Sequence, residues 1–183
     1  MIATASTERL SRENGWWGML VFVVSEATIF GCLLGSYFFL RFQSVEWPQG
    51  GIEPKAPVVP LILVGALVAM SAPLQLAWLA ARGGRTGLAR LLVFVALVVQ
   101  AGYLAYGIYD MRADLGEFTP QENAYASIYY TLLGADHAHL ALGLLLSAWI
   151  VLRPTGLRAV VLYWHAVNAI TVAVVATILS PAA

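Results

Sequence analysis

Five apolar runs account for most of this chain, and each is long enough to cross a lipid bilayer, which takes roughly 20 consecutive residues in a helix. They cover about Trp16 to Leu40, Val58 to Ala81, Leu88 to Ile108, Ser127 to Leu152 and Ala159 to Leu179. In hydrocarbon every backbone N–H and C=O must be satisfied within the segment, so runs of this length fold as helices. The expected fold is all-α, an integral membrane bundle of five transmembrane helices. Composition agrees: 60% of the 183 residues are hydrophobic and 11% charged, against about 25% charged in soluble domains. With neither a long polar insert nor an internal repeat, residues 16–183 read as one membrane domain, preceded by a polar tail over residues 1–15.

The breaks between runs carry turn chemistry: Trp47, Pro48, Gln49, Gly50 and Gly51 in the first, Arg82, Gly83, Gly84 and Arg85 in the second, Arg153, Pro154, Thr155 and Gly156 in the fourth. The third, from Asp110 to Glu122, is acidic. Within it Thr119, Pro120 and Glu122 have the spacing of a helix start, which predicts that the fourth helix begins at Pro120 and runs about 50 Å to Leu152. Pro73 is expected to kink the second helix.

Seven arginines (9, 12, 82, 85, 90, 153 and 158) fall at the N-terminal end of the bundle, whereas Arg41, Lys55 and Arg112 fall at the other. The excess of positive charge places the N-terminus in the cytoplasm and the C-terminus on the opposite side. Trp16, Trp17 and Trp47 flank run ends and read as aromatic anchors at the interface.

Equal totals of Lys+Arg and Asp+Glu, ten each, give no reason to expect a nucleic-acid partner. Cys32 is the single cysteine, which excludes an intrachain disulfide and a multi-cysteine metal site.

Ionisable groups inside the spans each need a physical reason, because one near the bilayer centre costs on the order of 3 kcal/mol. These are Glu26 in the first span, Asp136, His137 and His139 in the fourth, and His165 in the fifth. Glu26 lies fourteen residues after Arg12 and His139 fourteen before Arg153, so the two reach similar depths. If their helices are neighbours, a hydrogen bond or ion pair between them lowers the desolvation cost of both. Either structural satisfaction or a part in moving protons would account for Glu26. Asp136 and His139 share a helix face and His137 points elsewhere, a spacing that supplies two metal ligands rather than the usual three or four. His165 is expected to make an interfacial hydrogen bond. Small residues, among them Gly31, Gly35, Ser36, Gly134, Ala138 and Gly143, permit close helix packing.

The stretch from Trp17 to Ser25 and Glu26, with Phe30, Tyr37, Phe38 and Arg41 beyond it, closely resembles the third transmembrane helix of cytochrome c oxidase subunit III. Gln100 and Tyr103 resemble part of that family's Gln-x-x-Glu-Tyr segment, without its Glu. Tyr125, Ser127, Tyr129, Thr131, Gly134, His139 and Gly143 are similar to the run ending in Gly-x-His-x-x-His-x-x-x-Gly, with Asp136 where the first His is expected and His137 off the pattern. Tyr163, Trp164 and His165 are similar to Tyr-Trp-His-x-Val-Asp, with Asn168 in place of the Asp. The matches run in order from the first helix to the last. Five helices instead of seven resemble the short bacterial versions.

The resemblance implies an accessory subunit of a respiratory haem-copper oxidase in the bacterial cytoplasmic membrane. Its partners would be the catalytic haem-copper subunit I, subunit II, other oxidase subunits and membrane lipid. No cofactor is expected in this chain; haem and copper belong to the partner subunits, and bound phospholipid is compatible with the family. The role implied is to stabilise the catalytic subunit and support its proton uptake. Three histidines in all are too few for the six that such a catalytic centre uses. A subunit of a quinol oxidase or a nitric oxide reductase has a similar sequence. An independent proton or cation transporter would have to work through Glu26, Asp136 and His139. Ser25, Gln100, His137, His165 and Asn168 are expected as polar contacts between helices or with a partner.

Overall fold

The structure, a computed structural model, describes residues 2–153 and 155–180, with side chains from Gly15 onward. The side chains of Arg9 and Arg12, and Pro154 in the fourth break, lie outside what it describes. Among the described residues there are six helices: α1 (Ile2–Phe42), α2 (Val58–Ala69), α3 (Ser71–Arg82), α4 (Thr86–Asp114), α5 (Ala124–Leu152) and α6 (Leu157–Ile178). Five stretches are long and apolar enough to span a membrane: Gly15–Phe42, Val58–Arg82 (α2 with α3), Thr86–Asp114, Ala124–Leu152 and Leu157–Ile178. There is no strand among the described residues.

The second span is interrupted at Met70, three residues before Pro73. Proline has no N–H for the carbonyl four residues earlier, here that of Ala69, and the chain responds just there. The Met70 N–H bonds to the Leu67 carbonyl at 3.1 Å, a tighter turn than the helix on either side.

α6 is the centre of the bundle. It packs against α1, α2, α3 and α5, and half of its membrane window is buried, whereas 6% of α1's is. α4 closes the far side by packing on α2, α3 and α5, and α1 lies only on α5 and α6. The interior falls into two zones. Toward the arginine-rich end it is aliphatic and alanine-rich, with Leu67, Leu74, Ala77, Val93, Ala96 and Leu140 around Trp164. Toward the acidic end it is aromatic, with Phe30, Tyr37, Trp47, Phe118, Tyr125 and Tyr129.

At the arginine end, Arg158 stacks over Trp16 with 4.6 Å to the ring centroid, Arg82 over Trp78 at 5.1 Å and Arg153 over Trp149 at 5.3 Å. Trp17 is exposed, as an interfacial anchor should be. Trp47 is not an anchor. It is buried, donates from Nε1 to the Tyr37 hydroxyl at 2.8 Å, and meets Tyr37 and Tyr125 edge-on.

The fourth span starts later than its sequence suggests. Asn123 is extended (φ −159°, ψ 176°) and caps α5 by accepting from the Ala126 N–H at 2.8 Å. Thr119 and Glu122 do make the predicted cap contact, Thr119 N–H to Glu122 Oε1 at 2.7 Å. It closes an isolated turn, because the extended Asn123 stops helical hydrogen bonding from running on. At 29 residues, α5 is about 44 Å long. Gln49 ties the first loop to this cap: its Oε1 accepts from the Tyr125 N–H at 3.2 Å, and its carbonyl accepts from Asn123 Nδ2 at 3.3 Å.

Candidate functional site

The polar residues of α5 divide among its three neighbours. His139 turns toward α1, where its Nε2 lies 2.8 Å from Glu26 Oε2. Its Nδ1 donates to the Ala135 carbonyl one turn back at 2.7 Å, the Phe30 ring meets it edge-on at 5.1 Å, and its own carbonyl accepts from the Tyr163 hydroxyl at 2.7 Å. A residue from α1, one from α5 and one from α6 thus converge near mid-span. The pair is not sealed: 17% of the Glu26 side chain and 19% of that of His139 remain exposed, beside the sparsely covered α1.

Asp136, about 60° around the helix from His139, belongs to a different contact. It is 1% exposed and accepts from Thr171 Oγ1 of α6 at 2.7 Å. Shared facing on α5 does not make one site of Asp136 and His139, because α1 and α6 lie side by side against that face and each takes one residue. Among the described residues no three His, Cys, Asp or Glu side chains stand together as a metal would need.

His137, on the side of α5 opposite His139, lies against α4. Its ring is accommodated by Gly107, where a Cβ would come within 2.5 Å of His137 Nε2. On α6, Asn168 Nδ2 donates to Ser71 Oγ at 2.9 Å, next to the break in the second span, and His165 Nε2 makes a long 3.4 Å contact with Gln75 Oε1. Gln100 is fully buried on α4 and neither of its side-chain amide atoms has a hydrogen-bond partner among the described residues. Ser25 is exposed and satisfied locally, donating to the Val21 carbonyl at 3.0 Å.

Sequence reasoning missed a second polar centre. α4 continues through Asp114, so Asp110 and Asp114 sit one turn apart on a helix and not in an irregular acidic loop. Lys55 from the first loop bridges them, with Nζ 3.0 Å from Asp110 Oδ2 and in contact with Asp114 Oδ1. Asp114 is buried and also accepts from the Tyr129 hydroxyl of α5. The i, i+4 spacing of the two carboxylates was visible in the sequence; that a lysine some sixty positions earlier would meet them was not. Burial opposes the Lys55 charge, but its hydrogen bonds to Asp114 and Asp110 outweigh that and hold its pKa above the ordinary lysine value.

No protein-family model matches the chain. Curated relatives do. It is 27% identical over 164 residues to cytochrome c oxidase subunit 3 of Thermostichus vulcanus, covering 84% of this chain and 80% of that one. It is 25% identical over 186 residues to cytochrome c oxidase subunit 3 of Bacillus subtilis, covering 92% and 87%. Against cytochrome bo(3) ubiquinol oxidase subunit 3 of Pseudomonas aeruginosa it is 25% identical over 172 residues, covering 88% and 82%. The similarity spans most of these chains and, together with five membrane-length helices and no strand among the described residues, makes the chain similar to the subunit 3 proteins of cytochrome c and ubiquinol oxidases.

Proposed function

We propose that this chain is an accessory subunit of a respiratory haem-copper oxidase, packed against the catalytic subunit in a bacterial cytoplasmic membrane and contributing neither haem nor copper ligands. Near end-to-end similarity to subunit 3 of both cytochrome c and ubiquinol oxidases is the observation that carries the reading. The fold is compatible with it: α1 leaves most of its surface uncovered and presents a polar pair at the edge of that surface. A carboxylate and an imidazole at mid-span are costly against lipid alone, which favours a protein neighbour or headgroup-bearing lipid over that edge.

In this reading the N-terminus and residues 1–15 lie in the cytoplasm, on the side of the arginine excess. The chain stabilises the catalytic subunit and helps sustain its proton uptake, with Glu26 and His139 as the groups that matter most. Haem and copper sit in the partner subunits. The electron donor, cytochrome c or quinol, is read by those partners.

The test is a mild detergent purification through a tag on this chain, followed by visible spectroscopy and mass spectrometry of whatever accompanies it. Haem absorbance with a large His-rich membrane subunit is the expected result. A colourless, solitary protein, under conditions that preserve other respiratory complexes, would refute the proposal and favour an independent transporter, which would then move protons or cations alone in liposomes.

A further inference from the structure

Along α4, Tyr103, Gly107, Asp110 and Asp114 recur at spacings of three or four residues and so share one face, turned toward α5. The stripe begins at the Lys55 bridge on the acidic end and leads toward the middle of the span. Beside it is a cavity of about 70 Å³, lined by Lys55 and Asp110 toward the acidic end, by Tyr103 and His137, and by Leu63 of α2 and Val175 of α6 as apolar walls. Such a volume holds several waters at about 10–15 Å³ each.

Its polar lining is not self-satisfied. His137 Nδ1 is buried and has no hydrogen-bond partner among the described residues. Gln100, one turn further along α4 and outside the cavity lining, also has two side-chain amide atoms without a partner among the described residues. Buried polar atoms without partners are rare and costly, at about 1–3 kcal/mol each. Where a cavity adjoins the ring that carries such an atom, as at His137, water is the ligand that fits, since it can donate and accept in the same place.

We infer that this cavity is a built water site, a short aqueous half-channel that opens at the Lys55–Asp110 end and hydrates His137 and Tyr103 inside the span. Ionisable groups in membrane helices face protein or a water-filled cavity, and this one lets His137 exchange its proton with the aqueous phase at the acidic end. His139, about 160° around α5, faces α1 and is served separately. The half-channel does not depend on which oxidase the chain belongs to.

Radiolytic hydroxyl-radical footprinting of the intact purified protein tests this, because radicals formed from internal water oxidise the side chains in contact with it. Tyr103 and His137, which are partly exposed, should be oxidised roughly tenfold faster than the fully buried Trp164 and Tyr163, and the cavity accounts for that excess if filling it removes the excess. Rates no higher than those of Trp164 and Tyr163 would overturn the inference. Leu63→Trp, which fills the cavity from its apolar wall, should bring both rates down to the control level. Unchanged labelling in an assembled Leu63→Trp protein would overturn the assignment of this cavity as the water's route.

Discussion

His139 holds Glu26 with one ring nitrogen and its own helix with the other. A carbonyl only accepts, so the 2.7 Å contact of Nδ1 with the Ala135 carbonyl fixes a proton on Nδ1. Nε2 and Glu26 Oε2, 2.8 Å apart, then share a single proton. Either a neutral imidazole accepts from a carboxylic acid, or an imidazolium donates to a carboxylate. Both forms have zero net charge, so the pair can pass a proton along its own hydrogen bond without placing an isolated charge in the span.

Glu26→Gln should therefore preserve the contact, because the amide N–H can donate to Nε2. Glu26→Ala removes the partner and leaves a polar nitrogen partly buried, at about 1–3 kcal/mol. The expected outcome for Glu26→Ala is intact membrane spans with weaker retention in the oxidase, or a faster decline of turnover. The first is read by mass spectrometry of the purified complex and the second by the time course of oxygen consumption. Wild-type retention and wild-type sustained turnover in Glu26→Ala would remove any special role for the pair.

Asp136 poses a different problem, being sealed between α5 and α6 with Thr171 as the donor seen on its carboxyl. Thr171→Ser retains that donor and should be nearly silent. Thr171→Val keeps the shape but leaves Asp136 without it, and should lower stability by about 1–3 kcal/mol. Thermal unfolding of the detergent-solubilised protein compares the two; a loss in Thr171→Ser with none in Thr171→Val would mean that packing of the Thr171 methyl, and not its hydroxyl, is what matters.

How far the sequence reaches can be judged from these same residues. Glu26 and His139 are legible because an ionisable group in an apolar run stands out, and spacing to the interfacial arginines gives its depth. Sequence spacing gives depth but not neighbours, so it could not tell that α6 would take Asp136 and α1 would take His139. Helix ends were read less well, since both errors come from weighing local chemistry alone. The charges from Asp110 to Asp114 look like loop until Lys55 neutralises them, and Thr119 looks like a cap until Asn123 turns the chain. Packing glycines were the least legible: of those the sequence suggested, Gly143 lies against a ring while Gly31, Gly35 and Gly134 meet nothing within 4 Å, and Gly107, which it did not suggest, lies against His137.

Gly143 shows what such a contact is worth. A Cβ there would stand 2.7 Å from the Trp164 ring, and that ring cannot withdraw: it is fully buried and its Nε1 donates to Ser147 Oγ at 2.7 Å. Gly143→Ala should force α5 and α6 apart locally and cost about 1–3 kcal/mol. Gly134→Ala, on the same helix with open space around it, should stay within about 0.5 kcal/mol of wild type. Unfolding midpoints of the two variants decide it, and similar midpoints would mean that the α5–α6 interface yields more easily than the Trp164 anchoring implies.

The Lys55 bridge gives a prediction with a definite pH sign. In the folded chain the lysine pKa is raised above 10.5 by Asp114 and Asp110, against the opposing effect of burial. A group whose pKa is higher folded than unfolded binds its proton more tightly in the folded state, so its contribution is complete below the unfolded value and fades as pH climbs through the folded one. Lys55→Met removes that contribution and leaves Asp114 buried beside Tyr129 without its cation, at about 1–2 kcal/mol once the partial exposure of the bridge is allowed for. Wild type should be more stable than Lys55→Met by a constant margin from neutral pH up to about 10.5, and the margin should close only above it. Unfolding midpoints measured across that range check the sign. A margin that narrows well below that point would mean that the bridge does not hold the proton on Lys55, and that the first loop is held chiefly through the Gln49 and Trp47 contacts with α1 and α5.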